Sequence, residues 1–411
     1  MELKETICVV SLGCAKNLVD SEVMLGLLAK AGYGFTGNRK EADIIIVNTC
    51  AFIEDAAQES IGAIVQAAGE KKSGACKHLV VCGCLPQRYA DELPAALPGV
   101  DLFIGTGEFQ NIVKHLKALR SGASASKLFC TRGSFLMNAR TPRILSTPGS
   151  SAYIKIAEGC SHRCTYCTIP SIRGPYAGRS AQSVVSEAKM LAARGIREIN
   201  LISQDTTQYE GLAGLLRKLG RIPELKWIRL LYCHPLHVHK DTIQALAEEE
   251  KVCRYMDIPL QHVSDSVLKR MGRKITRKKT EAVLEVLRQA VPGISLRTTF
   301  IVGFPGETHK DFKELLKFVE DFRFDHLGAF QYRDEAGTPA FRLDGKVAEK
   351  TKSERFHQLM SLQAGIARER NKACVGKELE VLIEGPSSNN KFLLQGRTEF
   401  QAPEVDGVVF I

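Results

Sequence analysis

Short apolar runs alternate with amphipathic stretches over the first 120 residues. The runs at 6–12, 43–48, 77–82 and 101–104 have the length and branched-aliphatic content of buried strands. Helical periodicity fills about 18–31, 55–68, 86–92 and a stretch ending near 119. Strands alternating with helices predict an α/β fold, here a parallel, doubly wound sheet. Residues 121–150 break the pattern with Pro, Gly and Ser clusters and read as a linker. Six further strand-like runs follow, at 152–157, 197–203, 226–232, 254–259, 294–302 and 325–331, separated by helical stretches at 181–194, 240–248, 276–290 and 308–321. Six βα units predict an incomplete (βα)6 parallel barrel over 151–345, because the eight-fold version needs more chain. Residues 346–374 are charged and helix-forming, with apolar positions at Phe356, Met360, Leu362 and Ile366, and read as a connecting helix packed on the barrel. Strand-like runs at 378–383, 392–396 and 407–411 make 375–411 a small β module.

Composition narrows the class only a little. With 44% hydrophobic and 25% charged residues, the 411-residue chain has the make-up of ordinary globular domains. No run of about 18 apolar residues predicts a membrane span, and the amino terminus leads straight into a strand without a signal-peptide pattern. Thirteen cysteines fit metal-bound thiolates in a reducing cytoplasm better than a secreted disulfide framework. The excess of 56 basic over 46 acidic residues suits a nucleic-acid or ribosomal partner, and also many enzymes with solvated surfaces.

The cysteines carry the chemistry. Cys160-Ser-His-Arg-Cys164-Thr-Tyr-Cys167 places three soft ligands in one loop. They suit an iron–sulfur cluster or zinc, and leave one coordination position open to a small molecule. The alternative is a zinc knuckle that borrows His162 or a distant residue as its fourth ligand. Cys14, Cys50 and Cys84 follow the first three strands, and the carboxyl ends of strands in an open parallel sheet line its binding crevice. A second three-thiolate site is therefore expected there, with three unrelated cysteines as the alternative. Cys8, Cys76 and Cys82 read as structural and Cys130 as incidental.

The stretches Ser11-Leu-Gly-Cys14-Ala-Lys-Asn-Leu-Val-Asp20-Ser-Glu22, Asn48-Thr-Cys50-Ala-Phe-Ile and Gly83-Cys84-Leu-Pro-Gln-Arg-Tyr89 resemble the amino-terminal domain of methylthiotransferases. The Cys160 loop after the first strand of a six-unit barrel resembles the radical S-adenosylmethionine superfamily. The resemblance implies an auxiliary 4Fe–4S cluster at Cys14, Cys50 and Cys84 over residues 1–120. It implies a catalytic one at Cys160, Cys164 and Cys167, where S-adenosylmethionine would bind the fourth iron and yield a 5′-deoxyadenosyl radical. The Cys-Ala-Lys-Asn and Ala402-Pro-Glu-Val-Asp406-Gly forms look like the family's ribosomal-protein branch. That branch implies methylthio transfer to the β-carbon of an aspartate in the twelfth protein of the small ribosomal subunit. It also implies an external reductant of the flavodoxin or ferredoxin type. Methylthiolation of a transfer-RNA adenosine is the rival within the class, and a non-catalytic zinc-dependent RNA- or ribosome-binding protein the rival outside it.

Further cofactor contacts are expected at strand ends. Tyr166 is placed to pack on adenine or merely in its loop. Gln204 and Asp205 end the second barrel strand, where Asp205 would bind the cofactor or cap a helix. Gly303, in Ile301-Val-Gly-Phe-Pro-Gly306-Glu307-Thr308, follows the fifth strand. His262 reads equally as a substrate contact or an ordinary bonded histidine, and Arg173 and Arg179 as carboxylate partners or surface charges. The tail looks like the start of a TRAM domain, a small β-barrel that contacts RNA or macromolecular substrate. The chain stops inside it, so either a shortened module folds against the barrel or the tail is a fragment with exposed edges.

Overall fold

A computed structural model of the chain describes residues 5–122, 126–131, 135–147, 149–387, 390 and 392–411; parts of the expected linker therefore lie outside the described residues. The chain divides into two compact units. The first holds residues 1–146 with 157–162 and 167–179, and the second holds 147–156, 163–166 and 180–411.

The first unit is built on a six-stranded parallel sheet. Its strands are β1 (Thr6–Ser11), β2 (Gly34–Phe35), β3 (Ile44–Thr49), β4 (His78–Gly83), β5 (Leu102–Gly105) and β6 (Leu128–Phe129), in spatial order β2-β1-β3-β4-β5-β6. Every residue of β3 is buried, so helices must cover both faces, as a parallel sheet requires. On one face Ile45, Val47, Leu79, Val81 and Phe103 pack with Ala57, Ile64 and Ala67 of α2 (Glu54–Ser73). Helix α1 (Ala15–Lys30) packs with α4 (Ile112–Arg120), and the short α3 (Cys84–Arg88) directly follows β4. Strand order reverses beside β1, so the crevice of a doubly wound sheet opens between the loops after β1 and β3.

The expected linker is partly a strap on α1. Arg143 Nε donates to Glu22 Oε2 at 2.9 Å, and the Ser146 amide donates to Glu22 Oε1 at 2.6 Å. Gly26 has no Cβ because the backbone of Pro142 and Arg143 lies against it. Residues 157–162 and 167–179, beyond the expected boundary at 151, pack with the first unit: a two-residue ribbon (Ala157–Glu158 against Ala177–Gly178) joins the two segments to each other, and Thr106 Oγ1 donates to the Ile172 carbonyl at 2.7 Å.

The second unit contains all six expected barrel strands: β7 (Ser151–Lys155), β8 (Glu198–Ile202), β9 (Trp227–Leu230), β10 (Val252–Asp257), β11 (Ser295–Val302) and β12 (His326–Gln331). They pair in parallel in chain order, and no pairing between β7 and β12 closes the sheet among the described residues. The longer helices α5 (Ala181–Ala193), α6 (Leu212–Gly220), α7 (Lys240–Glu248), α8 (Arg277–Ala290) and α9 (His309–Phe322) fall between the strands; α6 escaped the sequence reading. Helix α10 (Glu349–Lys372) packs on β12, but its most buried stripe is Lys352, Arg355, Leu359, Gln363 and Ile366, only the last of which was expected to face inward. Polar members of the stripe are satisfied: Arg355 Nη1 donates to Glu307 Oε1 at 2.7 Å and Gln363 Nε2 to the Phe324 carbonyl at 3.0 Å.

The tail forms a three-stranded antiparallel sheet, β13 (Leu382–Pro386), β14 (Leu394–Arg397) and β15 (Val409–Phe410), rather than a closed barrel. It docks on the amino-terminal ends of the barrel strands. Arg397 is ion-paired with Glu198 at 2.5 Å and Glu384 at 2.7 Å, and Asp406 accepts from Tyr255 and Arg297. Phe392, Phe410 and Ile411 stay exposed, as expected of an open module.

Candidate metal centres

Strands β1, β3 and β4 lie side by side, so the residues just past their carboxyl ends are neighbours. Cys14 is the N-cap of α1, Cys50 follows β3, and Cys84 opens α3. Gly13 has φ +88°, and a Cβ there would stand 2.6 Å from Cys50 Cβ and 3.0 Å from its Sγ. Only glycine gives both the left-handed turn and that approach. Asn17 Nδ2 donates to the Leu12 carbonyl at 2.6 Å, and Asn48 Nδ2 donates to the Asn17 carbonyl at 2.9 Å. The two motifs are thus laced together beneath the thiols.

The thiols differ in charge preference. At Cys14, desolvation raises the pKa, but the charges of Lys16 and Arg173 and the amides of Asn17 and Lys16 outweigh it and bring it below the usual thiol value. Such a cysteine at a helix N-terminus favours the thiolate. Burial raises Cys50, and pushes Cys84 up to about 12 despite the Arg173 charge. A thiol of that kind gives up its proton when a metal takes its place. Three convergent sulfurs with two cations beside them fit an anionic iron–sulfur cluster.

Arg173 is 3% exposed and sits at the centre of this region. Its Nη1 donates to Asp20 at 2.7 Å and lies 3.3 Å from Glu158, while Nη2 reaches Asn17 Oδ1 at 3.3 Å and Cys84 Sγ at 3.8 Å. It does meet carboxylates, as one sequence reading had it, and they are the protein's own.

The C-x3-C-x2-C loop is shared out: Cys160 and Cys167 belong to the first unit and Cys164 to the second. Cys160 is buried and its amide donates to the Gly174 carbonyl at 3.0 Å. In the second unit, Thr165 beside Cys164 is pinned by its amide to the Met271 carbonyl (2.9 Å) and by its hydroxyl to the Arg270 carbonyl (2.8 Å). Arg273 lies against Tyr166 and hydrogen-bonds Cys164.

The remaining expected cofactor residues divide. Gln204 Oε1 is buried with no hydrogen-bond partner among the described residues. Asp205 caps a short turn: one carboxylate oxygen accepts from Thr207 and the Gln208 amide, and the other from His237 Nδ1 at 2.7 Å. Tyr166 packs edge-to-face on Phe304, centroids 6.3 Å apart. Gly303 has φ +73°, the space for its Cβ is filled by Lys352, and its amide donates to Glu307 at 2.7 Å. These contacts account for the glycine within the protein. His262 is buried and its Nδ1 accepts from the Ser264 amide at 3.0 Å, while its Nε2 has no hydrogen-bond partner among the described residues; burial brings its pKa down to about 3, which favours the neutral ring.

Sequence reasoning missed Arg273, Lys16 and Glu158, whose signals were only their places beside cysteine motifs. It also missed Tyr232 (φ 60°), and it saw Gln261 (φ 72°) only as part of the stretch Ile258-Pro-Leu-Gln-His262 that closes the fourth barrel strand; both are non-glycine residues in left-handed backbone beyond the carboxyl ends of β9 and β10. Strain of this kind clusters at functional sites.

Comparison with known proteins agrees with this architecture. The Radical SAM superfamily model matches residues 154–319, the model of the uncharacterized protein family UPF0004 matches 6–105, and the TRAM domain model matches 375–411. Among solved structures, the radical S-adenosylmethionine methyltransferase TsrM from Kitasatospora setae superposes with a TM-score of 0.63 at 18% identity, over 82% of this chain and 77% of that one, which is a likeness of fold. Barrel, cysteine loop and family match together define a radical S-adenosylmethionine enzyme, a class whose cofactors are a 4Fe–4S cluster and S-adenosylmethionine. The chain is 48% identical to a protein of Trichlorobacter lovleyi named ribosomal protein uS12 methylthiotransferase RimO, over 99% of this chain and 92% of that protein. It is 49% identical to the protein of the same name from Geotalea uraniireducens, over 100% and 93%. The chain belongs to the RimO family of methylthiotransferases. No helix among the described residues is long and apolar enough to cross a membrane.

Proposed function

We propose that the protein transfers a methylthio group to the β-carbon of an aspartate in ribosomal protein uS12. The near-full-length identity to relatives bearing that name carries the reading. Cys160, Cys164 and Cys167 would hold one 4Fe–4S cluster, which would supply the electron for cleaving S-adenosylmethionine; Cys14, Cys50 and Cys84 would hold a second, which would supply or hold the sulfur, and a second S-adenosylmethionine would supply the methyl group. The chain's own residues do the rest. Lys16 and Arg173 offset the negative charge of the three strand-end thiolates, and Gly13 lets Cys14 and Cys50 approach. Gln204 Oε1, a buried acceptor without a partner among the described residues, takes a donor of the cofactor, and Tyr166, Asp205 and Gly303 shape the same end of the barrel. The enzyme works in the cytoplasm with a flavodoxin- or ferredoxin-type reductant, and the TRAM tail adds a contact to ribosomal RNA or protein. Functionally the chain divides as 1–120 for sulfur, 151–345 for the radical, and 375–411 for the macromolecular substrate, with 121–150 and 346–374 as connections.

Two variants test the division of labour. Cys164→Ala should stop formation of 5′-deoxyadenosine. Cys50→Ala should keep some of that cleavage and lose the methylthiolated product. Product from Cys50→Ala would remove the second site from the reaction.

A further inference from the structure

Resting on the reading of Cys14, Cys50 and Cys84 as cluster ligands, we infer that Arg173 is a positioning residue for that cluster: its guanidinium donates to the Cys84 sulfur, sets the reduction potential, and ties the segment carrying Cys160 to the Cys14 helix. The geometry is specific. Arg173 belongs to the short helical turn Ile169–Arg173, six residues past Cys167, yet its partners Asn17, Asp20 and Cys84 belong to the first and third strand-end motifs. Its fourth partner, Glu158, stands two residues before Cys160 and also accepts from the Gly159 amide at 3.3 Å. One planar fork thereby meets a carboxylate from each side, an amide oxygen and a ligand sulfur, which an ammonium group on a flexible stem cannot reproduce together.

The environment makes the charge effective. Arg173, Asp20 and Glu158 are each no more than 4% exposed at the side chain, so solvent screens the interaction little. A cation and an N–H aimed at a ligand sulfur favour the state with one more electron, and both raise a cluster's potential. Asp20 and Glu158 hold the guanidinium in place and partly offset its charge. Their balance leaves a donor directed at sulfur rather than a freely mobile cation.

The test uses the full chain with Cys160, Cys164 and Cys167 replaced by Ala, reconstituted anaerobically so that only the strand-end site can hold a cluster. Redox titration followed by electron paramagnetic resonance reads the midpoint potential. Arg173→Met should lower the reduced-to-oxidised ratio at a fixed potential at least tenfold, equivalent to 59 mV for one electron. Arg173→Lys should recover part of the shift. In a separate readout without iron, thermal unfolding of Arg173→Met, Asp20→Asn and the double variant should show coupling between the two residues. An unchanged potential in an Arg173→Met protein that holds the parent's iron would overturn the inference alone. If Arg173→Met fails to take up iron, Arg173→Lys serves the same comparison, and a potential equal to the parent's together with independent unfolding effects overturns the inference. Loss of no iron from the parent on replacing Cys14, Cys50 and Cys84 would instead overturn the cluster reading beneath it.

Discussion

Removing the Asp406 carboxylate should undock the tail. Asp406 has a side chain only 1% exposed and lies at 2.8 Å from Arg297 Nη1. It accepts from Tyr255 Oη at 2.8 Å and from the Ala402 amide at 2.9 Å. In Asp406→Ala the Tyr255 hydroxyl and Ala402 amide lose their acceptor, and Arg297 keeps Asp257 at 3.6 Å and the Val405 carbonyl at 3.5 Å. Breaking a buried pair by deleting one partner costs about 3–5 kcal/mol. The remaining Asp257 contact places the expectation at the lower end, about 3 kcal/mol. At about 2–4 °C per kcal/mol for a unit of this size, Tm should fall by about 6–12 °C. Differential scanning calorimetry of the metal-free protein measures it, with Lys317→Ala as the control. Lys317 is 64% exposed and its pairs with Glu320 and Asp321 are solvated and screened, so that change should leave the transition close to the parent's. Asp406→Ala melting together with the control would refute the docked tail.

Other perturbations probe the rest of the frame. Glu22→Ala strips a buried carboxylate from Arg143 and Ser146, and should both destabilise the first unit by about 3 kcal/mol and speed limited proteolysis within 135–147. Hydrogen bonds from Ser264, Ser266 and Thr308 outweigh desolvation and hold the Asp311 pKa at about 2. A folded-state pKa below the unfolded one gives stability that is complete above the unfolded value and is lost as pH falls from about 4 through about 2. Asp311→Asn should flatten the acid limb of a stability–pH curve over that window; an unchanged slope would contradict the assignment. Gly13→Ala must strain a left-handed backbone and displace Cys50, so it should take up less iron on reconstitution while Gly122→Ala, with open space around it, should not.

The strands were legible because burial on both faces leaves continuous aliphatic runs such as Ile44-Ile-Ile-Val47, which periodicity reads without tertiary information. All six barrel strands and the strand-end placement of Cys14, Cys50 and Cys84 followed from that. Long-range polar pairing does not show in periodicity. The stripe of α10 misled because Lys352, Arg355 and Gln363 are buried by partners on other elements. Arg173 could be marked only as a carboxylate partner or a surface charge, since the carboxylate it meets, Asp20, lies 153 positions away in sequence. The reassignment of 157–162 and 167–179 has the same cause: chain order placed them in the barrel, and their hydrogen bonds place them in the first unit. Asp205 and Gly303 show the converse limit, where a strand-end position suggested a ligand and local contacts already use the group.

The central claim is tested most directly by mass spectrometry of small ribosomal subunits incubated with the reconstituted enzyme, S-adenosylmethionine, a sulfur source and a reductant. The account predicts a methylthio mass increment on one aspartate of uS12 with the parent chain, and none with Cys50→Ala although 5′-deoxyadenosine still forms. An increment found on transfer-RNA adenosine instead of uS12, or an equal uS12 increment with Cys50→Ala, would contradict it.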